Sequence, residues 1–293
     1  MKFAITGKTK LISLLGSPVS HSRSPSMQNG VFEALGLDYV YVAFDVGLDN
    51  VEAAIDGLRA MNFRGSNVTM PLKKVVCQYL DKLTPAAEMA GAVNVIINDD
   101  GVLTGHITDG EGYMMSLVDA GVEYIGKKMI IVGSGGASTA VAIQAAMDGV
   151  RSISIFNHKD AFYSNGERTV EGLRQRIGCE AHMFDLADMN LLRKEMMSSD
   201  IFINATPIGM EETLDQSVIP DASYFHKNLI VTDLIYVPVE TKLLKIAKAA
   251  GNKTVNGLGM QLFQGVSAFK MWTGHDMPID VAREILFGKS VTK

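Results

Sequence analysis

The sequence predicts an α/β fold in two domains, and three observations support this prediction. Strand-like and helix-like segments alternate along most of the chain, a pattern typical of sheets covered by helices. An apolar run, Met129–Val132, breaks directly into a glycine-rich turn that precedes a helical segment. With 293 residues, the chain is also long enough to form two domains that each have a core.

The N-terminal half alternates between strand and helix from its first apolar run onward. Leu11–Leu15 predicts a strand, followed by a polar loop and a helix with apolar residues at spacings of three and four. A strand over Tyr39–Phe44, a helix over Val51–Met61 and a strand over Gly65–Val68 come next. This order predicts a parallel α/β sheet.

A second alternation begins after Gly126. Its six strand-like segments are Met129–Val132, Ser152–Phe156, Ala181–Phe184, Asp200–Asn204, Leu229–Leu234 and Lys253–Val255. Six such strands predict a doubly wound Rossmann domain. Because this sheet is complete without the helical tail, we expect the C-terminal helices to pack back on the first domain. We therefore predict a substrate and catalytic domain over residues 1–108 with 258–293, and a dinucleotide domain over residues 109–257.

Composition excludes several classes of protein. Hydrophobic residues make up 47% and the net charge is -5, so no basic surface for nucleic acid is expected. No window approaches the roughly 18 to 20 apolar residues of a membrane span, and we expect a cytoplasmic protein with no membrane partner. Cys77 and Cys179 have no metal-binding spacing, so no metal site is predicted.

The glycine-rich turn after Val132 predicts a phosphate-binding site. Gly133 permits a sharp exit from the strand, while Gly135 and Gly136 leave room for a pyrophosphate at the N-terminus of the next helix. Asp160 lies near the end of the next strand, where a Rossmann fold meets an adenosine ribose. Taken alone, the glycines also fit a tight strand-to-helix turn without a ligand.

The reacting side chains are expected in the first domain, because a dinucleotide domain supplies only the hydride carrier. Polar residues concentrate there in four motifs at apparent strand or helix ends: HSRSPS with Ser22 and Ser24, NVTMPLK with Asn67, Thr69 and Lys73, GAVN with Asn94, and TDG with Asp109. Each motif has a simpler interpretation, namely serine N-caps, a solvated lysine pair, or turn residues. Together they predict a site for a small polyhydroxy substrate.

Eight ordered motifs run nearly from end to end of the chain: HSRSP (21–25), NVTMPLK (67–73), LTPAAEMAGAVN (83–94), TDGEG (108–112), GSGGAST (133–139), NATPIGM (204–210), DLIYVP (233–238) and NGLGMQLFQG (256–265). In this order they resemble the shikimate dehydrogenases, and the quinate/shikimate dehydrogenase branch most closely. The resemblance implies reversible oxidation of shikimate to 3-dehydroshikimate, or of quinate to 3-dehydroquinate, with hydride passing to a nicotinamide cofactor.

The resemblance also implies roles for individual residues. Lys73 and Asp109 match a catalytic pair, which takes the hydroxyl proton during oxidation and returns it during reduction. Ser22 and Ser24 match a clamp for the substrate carboxylate. The residues matched to the substrate hydroxyls are Asn67, Thr69, Asn94, Tyr236 and Gln264. The residues matched to the cofactor are Gly133, Gly135, Gly136 and Ala137 at the pyrophosphate, Asn157, His158, Lys159 and Asp160 at the ribose, and Thr206, with Met210 and Gly257 near the nicotinamide.

The cofactor is expected to be NAD, with NADP as the second choice. His158 stands where NADP-using members of the family tend to have an arginine for the 2′-phosphate. The Asp160 carboxylate would accept hydrogen bonds from ribose hydroxyls and repel a phosphate. The positive charge of the neighbouring Lys159 favours a 2′-phosphate, so NADP stays the second choice.

Two departures from the family pattern bear on the substrate. Ile107 replaces an asparagine before the TDG threonine, and Val95 replaces a threonine after Asn94. These changes either alter the preferred ring substrate or only repack the surroundings. Two other functions stay open: a dinucleotide-binding redox sensor without catalysis, and a dehydrogenase of a related hydroxy-carboxylate. The choice between shikimate and quinate and the oligomeric state, with a homodimer considered, are not decided by the sequence.

Overall fold

The computed structural model describes residues 4–288, and the chain divides into two compact units. The first unit comprises the chain up to Thr108 together with the chain from Gln264 onward, and the second runs from Asp109 to Phe263. Residues 1–3 and 289–293, which belong to the predicted first domain, lie outside the described residues.

In residues 4–288 the strands are Lys10–Gly16 (β1), Tyr39–Asp45 (β2), Gly65–Val68 (β3), Lys82–Leu83 (β4), Val95–Asp99 (β5), Val102–His106 (β6), Lys128–Val132 (β7), Ser152–Asn157 (β8), Glu180–Asp185 (β9), Ile201–Asn204 (β10), Ile230–Asp233 (β11) and Thr254–Val255 (β12). The α-helices are Ser24–Leu35 (α1), Val51–Ala60 (α2), Pro85–Ala90 (α3), Asp109–Asp119 (α4), Gly136–Met147 (α5), Tyr163–Gly172 (α6), Met189–Met196 (α7), Lys242–Ala249 (α8), Leu258–Thr273 (α9) and Ile279–Phe287 (α10).

The first unit contains a mixed sheet with strand order β2-β1-β3-β5-β6-β4. The strands β1, β2 and β3 are parallel, as the sequence predicts, but β5 runs antiparallel to both β3 and β6. The predicted parallel sheet is therefore correct for β1 to β3 but does not extend to β5 and β6. The cause is a tight hairpin between β5 and β6, in which Asp100 and Gly101 both have positive φ, 52° and 91°, as two-residue hairpin turns require.

The C-terminal helices complete the core of the first unit, which confirms that part of the predicted fold. Phe269 on α9 stacks on Phe32 of α1, with ring centroids 5.5 Å apart. Trp272 is fully buried, and its Nε1 donates to the main-chain oxygen of Ile96 at 3.0 Å. A Cβ at Gly65 would lie 2.4 Å from that nitrogen, so the ring fits only over a glycine. The boundary between the units falls within α9, at Gln264, and not at its first residue.

The second unit contains six parallel strands in the order β12-β11-β10-β7-β8-β9, which confirms the predicted doubly wound sheet. Residues of β7 and β10 are buried and apolar for most of their length, as expected for strands covered on both faces. Val132, Asn204 and Asp233 end three neighbouring strands at one register level. The segments that follow them therefore leave the sheet side by side, at the edge where such folds bind ligands.

Candidate active site

A buried chain of hydrogen bonds in the first unit connects several predicted substrate residues. Tyr41 Oη donates to Asn67 Oδ1 at 2.8 Å, and Asn67 Nδ2 donates to the main-chain oxygen of Asn94 at 3.0 Å. Asn94 Oδ1 accepts from Thr108 N at 2.8 Å, and Thr108 Oγ1 donates to the main-chain oxygen of Gln264 at 3.1 Å. Because an amide nitrogen carries two hydrogens, the oriented Asn67 can donate to one further acceptor.

Two members of this chain, Tyr41 and Thr108, were not among the predicted site residues. Tyr41 is 2% exposed, and burial raises its pKa well above the ordinary range, against a hydrogen bond from the Ser24 side chain. Its hydroxyl therefore stays protonated and can serve as the donor to Asn67. The sequence indicates Thr108 through the TDG motif. For Tyr41 it indicates only burial, because alternation along a strand shows which face a side chain lies on but not which residue it contacts.

Ser22 and Ser24 lie half-buried at the start of α1. The N-cap residue is Arg23, and no side chain caps this helix. Ser22 Oγ accepts from Ser24 N at 3.3 Å, so Ser22 satisfies one N–H group of the first turn. Ser24 is not a cap, because its side chain reaches towards Tyr41.

Thr69 and Lys73 follow β3 in a turn that is anchored to the sheet. Thr69 N donates to Leu15 O at 2.9 Å, and Lys73 O accepts from Val93 N at 2.8 Å. Lys73 is half-buried, whereas its neighbour Lys74 is exposed. The interpretation of the two residues as a solvated lysine pair therefore holds for Lys74 alone.

Asp109 is the first residue of α4 and is half-buried. Gly110, which follows it, has no room for a side chain, because a Cβ would lie 2.2 Å from the main-chain oxygen of Ala140 on α5. The glycine of TDG thus allows α4 to pack closely on α5.

The glycine-rich turn of the second unit fits a bound pyrophosphate. Gly133 has φ +107°, and a Cβ there would lie 2.7 Å from Ala205 O. At Gly135 and Gly136 a Cβ would meet nothing within 4 Å, so the surface of the turn is open. No side chain caps α5 at Gly135, which leaves the N–H groups around Ala137 available to an anion.

Three further predicted cofactor residues of this unit lie on the segments after β10 and β12. Thr206 N and Oγ1 both donate to Asn204 Oδ1, at 3.1 and 2.7 Å. Met210 is half-buried. Gly257 N donates to Ile235 O at 2.9 Å, and a Cβ at Gly257 would lie 2.2 Å from Leu234 O. This glycine is required by close backbone packing, whether or not a nicotinamide lies near it.

Tyr236, the predicted substrate contact of this unit, is 44% exposed. Its side chain is therefore accessible to a ligand.

Comparison with known proteins identifies the family of the chain. The family model described as shikimate dehydrogenase substrate binding domain matches residues 14–96, and that described as shikimate 5'-dehydrogenase C-terminal domain matches residues 257–287. A shikimate dehydrogenase (NADP(+)) of Listeria monocytogenes is 54% identical over 97% of this chain and 97% of its own length.

The chain belongs to the shikimate dehydrogenase family. A quinate/shikimate dehydrogenase of Escherichia coli is 41% identical, over 96% of this chain and 98% of its own. A crystal structure of shikimate 5-dehydrogenase from Listeria monocytogenes in complex with shikimate and NAD has a TM-score of 0.95 at 54% identity, and covers 97% of this chain and 98% of that one. The family resemblance and the class of oxidoreductase are thereby confirmed.

After β8, a hydrogen bond between the side chains of Asn157 and Asp160 closes a turn. Asp160 Oδ1 accepts from Asn157 Nδ2 at 2.9 Å and from Phe162 N at 2.8 Å. One carboxylate oxygen therefore stabilises the turn, and the exposed side chain presents the other oxygen outward. His158 and Lys159 are exposed on the same turn, and Lys159 Nζ lies 3.8 Å from Asp185 Oδ2.

The two departures from the family pattern lie in the core of the first unit. Val95 and Ile107 are both buried. Val95 is the register partner of Asn67 on β3, and Ile107 directly precedes Thr108. Apolar side chains thus flank the hydrogen-bonded amides at the two places where the family usually has polar ones.

No helix within residues 4–288 has both the length and the apolar character needed to cross a membrane.

Proposed function

We propose that this protein catalyses the NAD(P)-dependent reversible oxidation of shikimate to 3-dehydroshikimate, and that it accepts quinate in the same reaction. The observation that carries the proposal is the oriented amide chain of the first unit, in a protein that also holds an open, uncapped glycine turn. Buried donors and acceptors in fixed orientation suit a ring with several hydroxyl groups, because an analogue that lacks one leaves a buried group unpaired.

Lys73 is proposed to exchange the hydroxyl proton of the substrate. Asp109 is the second member of the proposed pair. A positioned amine can accept the hydroxyl proton during oxidation and return it during reduction, so one lysine serves both directions of the reaction. The dinucleotide, when bound, accepts or returns the hydride.

Ser22 and Ser24 are proposed to hold the substrate carboxylate through their hydroxyls. Asn67, Thr69 and Asn94 are proposed to bind the ring hydroxyls, together with Gln264 and Tyr236. The amides of Asn67 and Asn94 are held by partners inside the first unit, so little conformational entropy is lost when a substrate binds.

We propose NAD as the preferred cofactor and NADP as the second. The support is Asp160, whose second carboxylate oxygen would accept from ribose hydroxyls and repel a 2′-phosphate. The related Listeria enzyme is named for NADP(+), while the Listeria crystal structure contains NAD, so the relatives include both dinucleotides.

The deciding experiment is a matrix of steady-state rates with shikimate and quinate, each against NAD and NADP. We expect turnover with shikimate, and a larger kcat/KM with NAD. Replacement Asp160→Ala should narrow the gap between the kcat/KM values for NAD and NADP. A larger kcat/KM with NADP in the unaltered protein would reject NAD as first choice. Dinucleotide binding without turnover of either acid would instead favour a redox sensor.

We also propose that the protein forms a homodimer through the outer strand of its first sheet. The strand β2 is the outermost strand of that sheet, and it exposes 41% of Val42 and 42% of Phe44. An edge strand with exposed apolar side chains is a surface that readily pairs with another strand.

A further inference from the structure

A buried carboxylate, Asp233, stands where β11 ends, next to Asn204 at the end of β10. Its side chain is 1% exposed. It accepts from Asn204 Nδ2 at 3.2 Å on each oxygen, from Ile235 N at 3.0 Å and from Thr241 Oγ1 at 2.8 Å. In the described part of the chain these donors are all neutral. Burying a carboxylate without a cation is costly, which suggests that its charge has a use beyond filling the site.

Asn204 transmits the orientation set by Asp233 to the next segment. Its Nδ2 faces the carboxylate and also donates to Ile208 O at 3.2 Å, and its Oδ1 accepts both N and Oγ1 of Thr206. A negative charge beside the amide fixes Nδ2 towards Asp233 and so keeps Oδ1 towards Thr206. Residues 205–210 are thereby tied at Thr206 and Ile208, and Ala205 O lies against Gly133 of the glycine turn.

We propose that Asp233 is a positioning residue for the dinucleotide, and that its ionisation makes dinucleotide affinity depend on pH. Acting through Asn204, it holds residues 205–210 in the conformation that receives the nicotinamide end. This inference rests on the proposed function, because the ligand of these residues is taken to be the NAD(P) named there.

The pH range follows from the environment of the carboxyl group. Burial raises the pKa of Asp233 to about 6, against the hydrogen bonds from Ile235 N, Thr241 and Asn204. Below this pH the carboxyl is neutral and loses its charge-assisted bond with Asn204. Dinucleotide affinity should therefore fall as the pH drops through about 6.

The other titratable and charged groups near Asp233 do not account for a change in dinucleotide affinity near pH 6. Tyr113 on α4 interacts electrostatically with Asp233, but burial raises its pKa away from this range. The lysines of α8 that neighbour Thr241 are exposed, and Lys242 donates to Asp215 O. On the flanking strands, Lys128 of β7 pairs with Glu195, and Lys253, which precedes β12, donates to Gly121 O.

The test measures the Kd of NAD directly, by calorimetry, between about pH 5 and pH 8. NAD is used because the 2′-phosphate of NADP has its own ionisation near pH 6. All variants carry His158→Gln, which removes the one imidazole among the predicted cofactor residues. The variants are Asp233→Asn, Thr206→Val and their double mutant. The control is Thr232→Val, which disturbs the same strand by removing buried bonds to Phe202 O and Tyr113.

Asp233→Asn keeps the shape of the side chain, and its amide can accept from Ile235 N and donate to Thr241. We expect it to raise the Kd of NAD on the order of tenfold at about pH 8 and to abolish the weakening towards about pH 5. The Kd of the double mutant should be no higher than that of the weaker-binding single mutant, because both replacements interrupt the same path from Asp233 through Asn204 to Thr206. Thr232→Val should lower Tm and leave the Kd and its pH profile unchanged.

An unchanged Kd in Asp233→Asn, or a pH transition that persists in it, would overturn the proposal. If Asp233→Asn does not fold, the His158→Gln protein decides alone, because a flat pH profile there contradicts the inference. The proposed function fails separately: NAD would then bind with the transition near pH 6 while neither shikimate nor quinate is oxidised.

Discussion

Lys73 and Lys74 are adjacent in sequence but differ in burial, and this difference provides a matched pair of variants. Lys73→Ala should lower kcat by about 100- to 10,000-fold, the usual effect of losing a positioned acid or base, with little change in the Kd for the dinucleotide. Lys74→Ala should retain nearly full activity. Steady-state rates together with calorimetric binding of NAD check both statements, and near-normal turnover of Lys73→Ala would refute the assigned role.

Variants of Ser22 and Ser24 at the start of α1 can show whether these serines bind the substrate carboxylate or only stabilise the helix. Ser24→Ala should raise the KM for shikimate while sparing most of kcat and the KM for NAD, because a group remote from the reacting carbon contacts ground and transition states alike. Ser22→Ala should add a loss of stability of up to about 1 kcal/mol, since Ser22 also accepts the N–H of Ser24. Both KM values and Tm are measured on each variant. A normal KM for shikimate with a lowered Tm would mean that the serines only stabilise the helix.

At single positions, the sequence predicted residue types better than residue contacts. The NVTMPLK, GAVN and TDG motifs pointed to Asn67, Asn94 and Asp109, but nothing local indicated that Tyr41 donates to Asn67. Tyr41 lies on β2 and Asn67 on β3, with β1 between them. A contact across an intervening strand depends on the sheet order, and alternation within one strand carries no information about that order.

At the scale of elements, two glycines of the turn after β7 have different requirements. Gly133 is required by the backbone conformation, whereas Gly135 is required only by the proposed pyrophosphate. Gly135 has φ -77° and space for a Cβ. Gly135→Ala should therefore change the free energy of unfolding by less than about 1 kcal/mol. It should still raise the Kd of NAD, because the added methyl group obstructs the pyrophosphate. Gly133→Ala should lower Tm strongly, because a positive φ and the contact with Ala205 O both oppose a side chain.

The control for this pair is Gly47→Ala, which also places a Cβ in open space but lies in the first unit. It should change neither Tm nor the Kd of NAD by much. Tight binding of NAD by a folded Gly135→Ala protein would count against the turn as a pyrophosphate site. Thermal unfolding and calorimetric NAD binding are sufficient to decide.

Elements were predictable where periodicity was strong and uninterrupted. All six strands of the second unit were found, because most of them are apolar runs that alternate with helical segments. The hairpin of β5 and β6 was missed, although Asp100–Gly101 is a turn signal. Val95–Ile97 is buried and shows no alternation, so this segment does not display the period of a half-buried antiparallel strand. Two-residue strands such as β4 are too short for any period to appear.

For the molecule as a whole, the proposed homodimer predicts a sedimentation mass of two chains of 31.7 kDa each. Phe44→Lys should favour the monomer, because a charge on an edge strand opposes edge-to-edge pairing. The control is Ile125→Lys, which replaces an exposed apolar side chain of the second unit. A monomeric unaltered protein at micromolar concentration would remove the proposal.

Trp272 gives the molecule a built-in optical reporter. It is the single tryptophan of the chain, it is fully buried, and it belongs to the first unit only. Its emission should shift to the red when that unit opens to water, whereas far-ultraviolet circular dichroism averages both units. Comparing the two signals in one denaturant titration reveals whether the halves of the protein melt together or in sequence, without any attached dye.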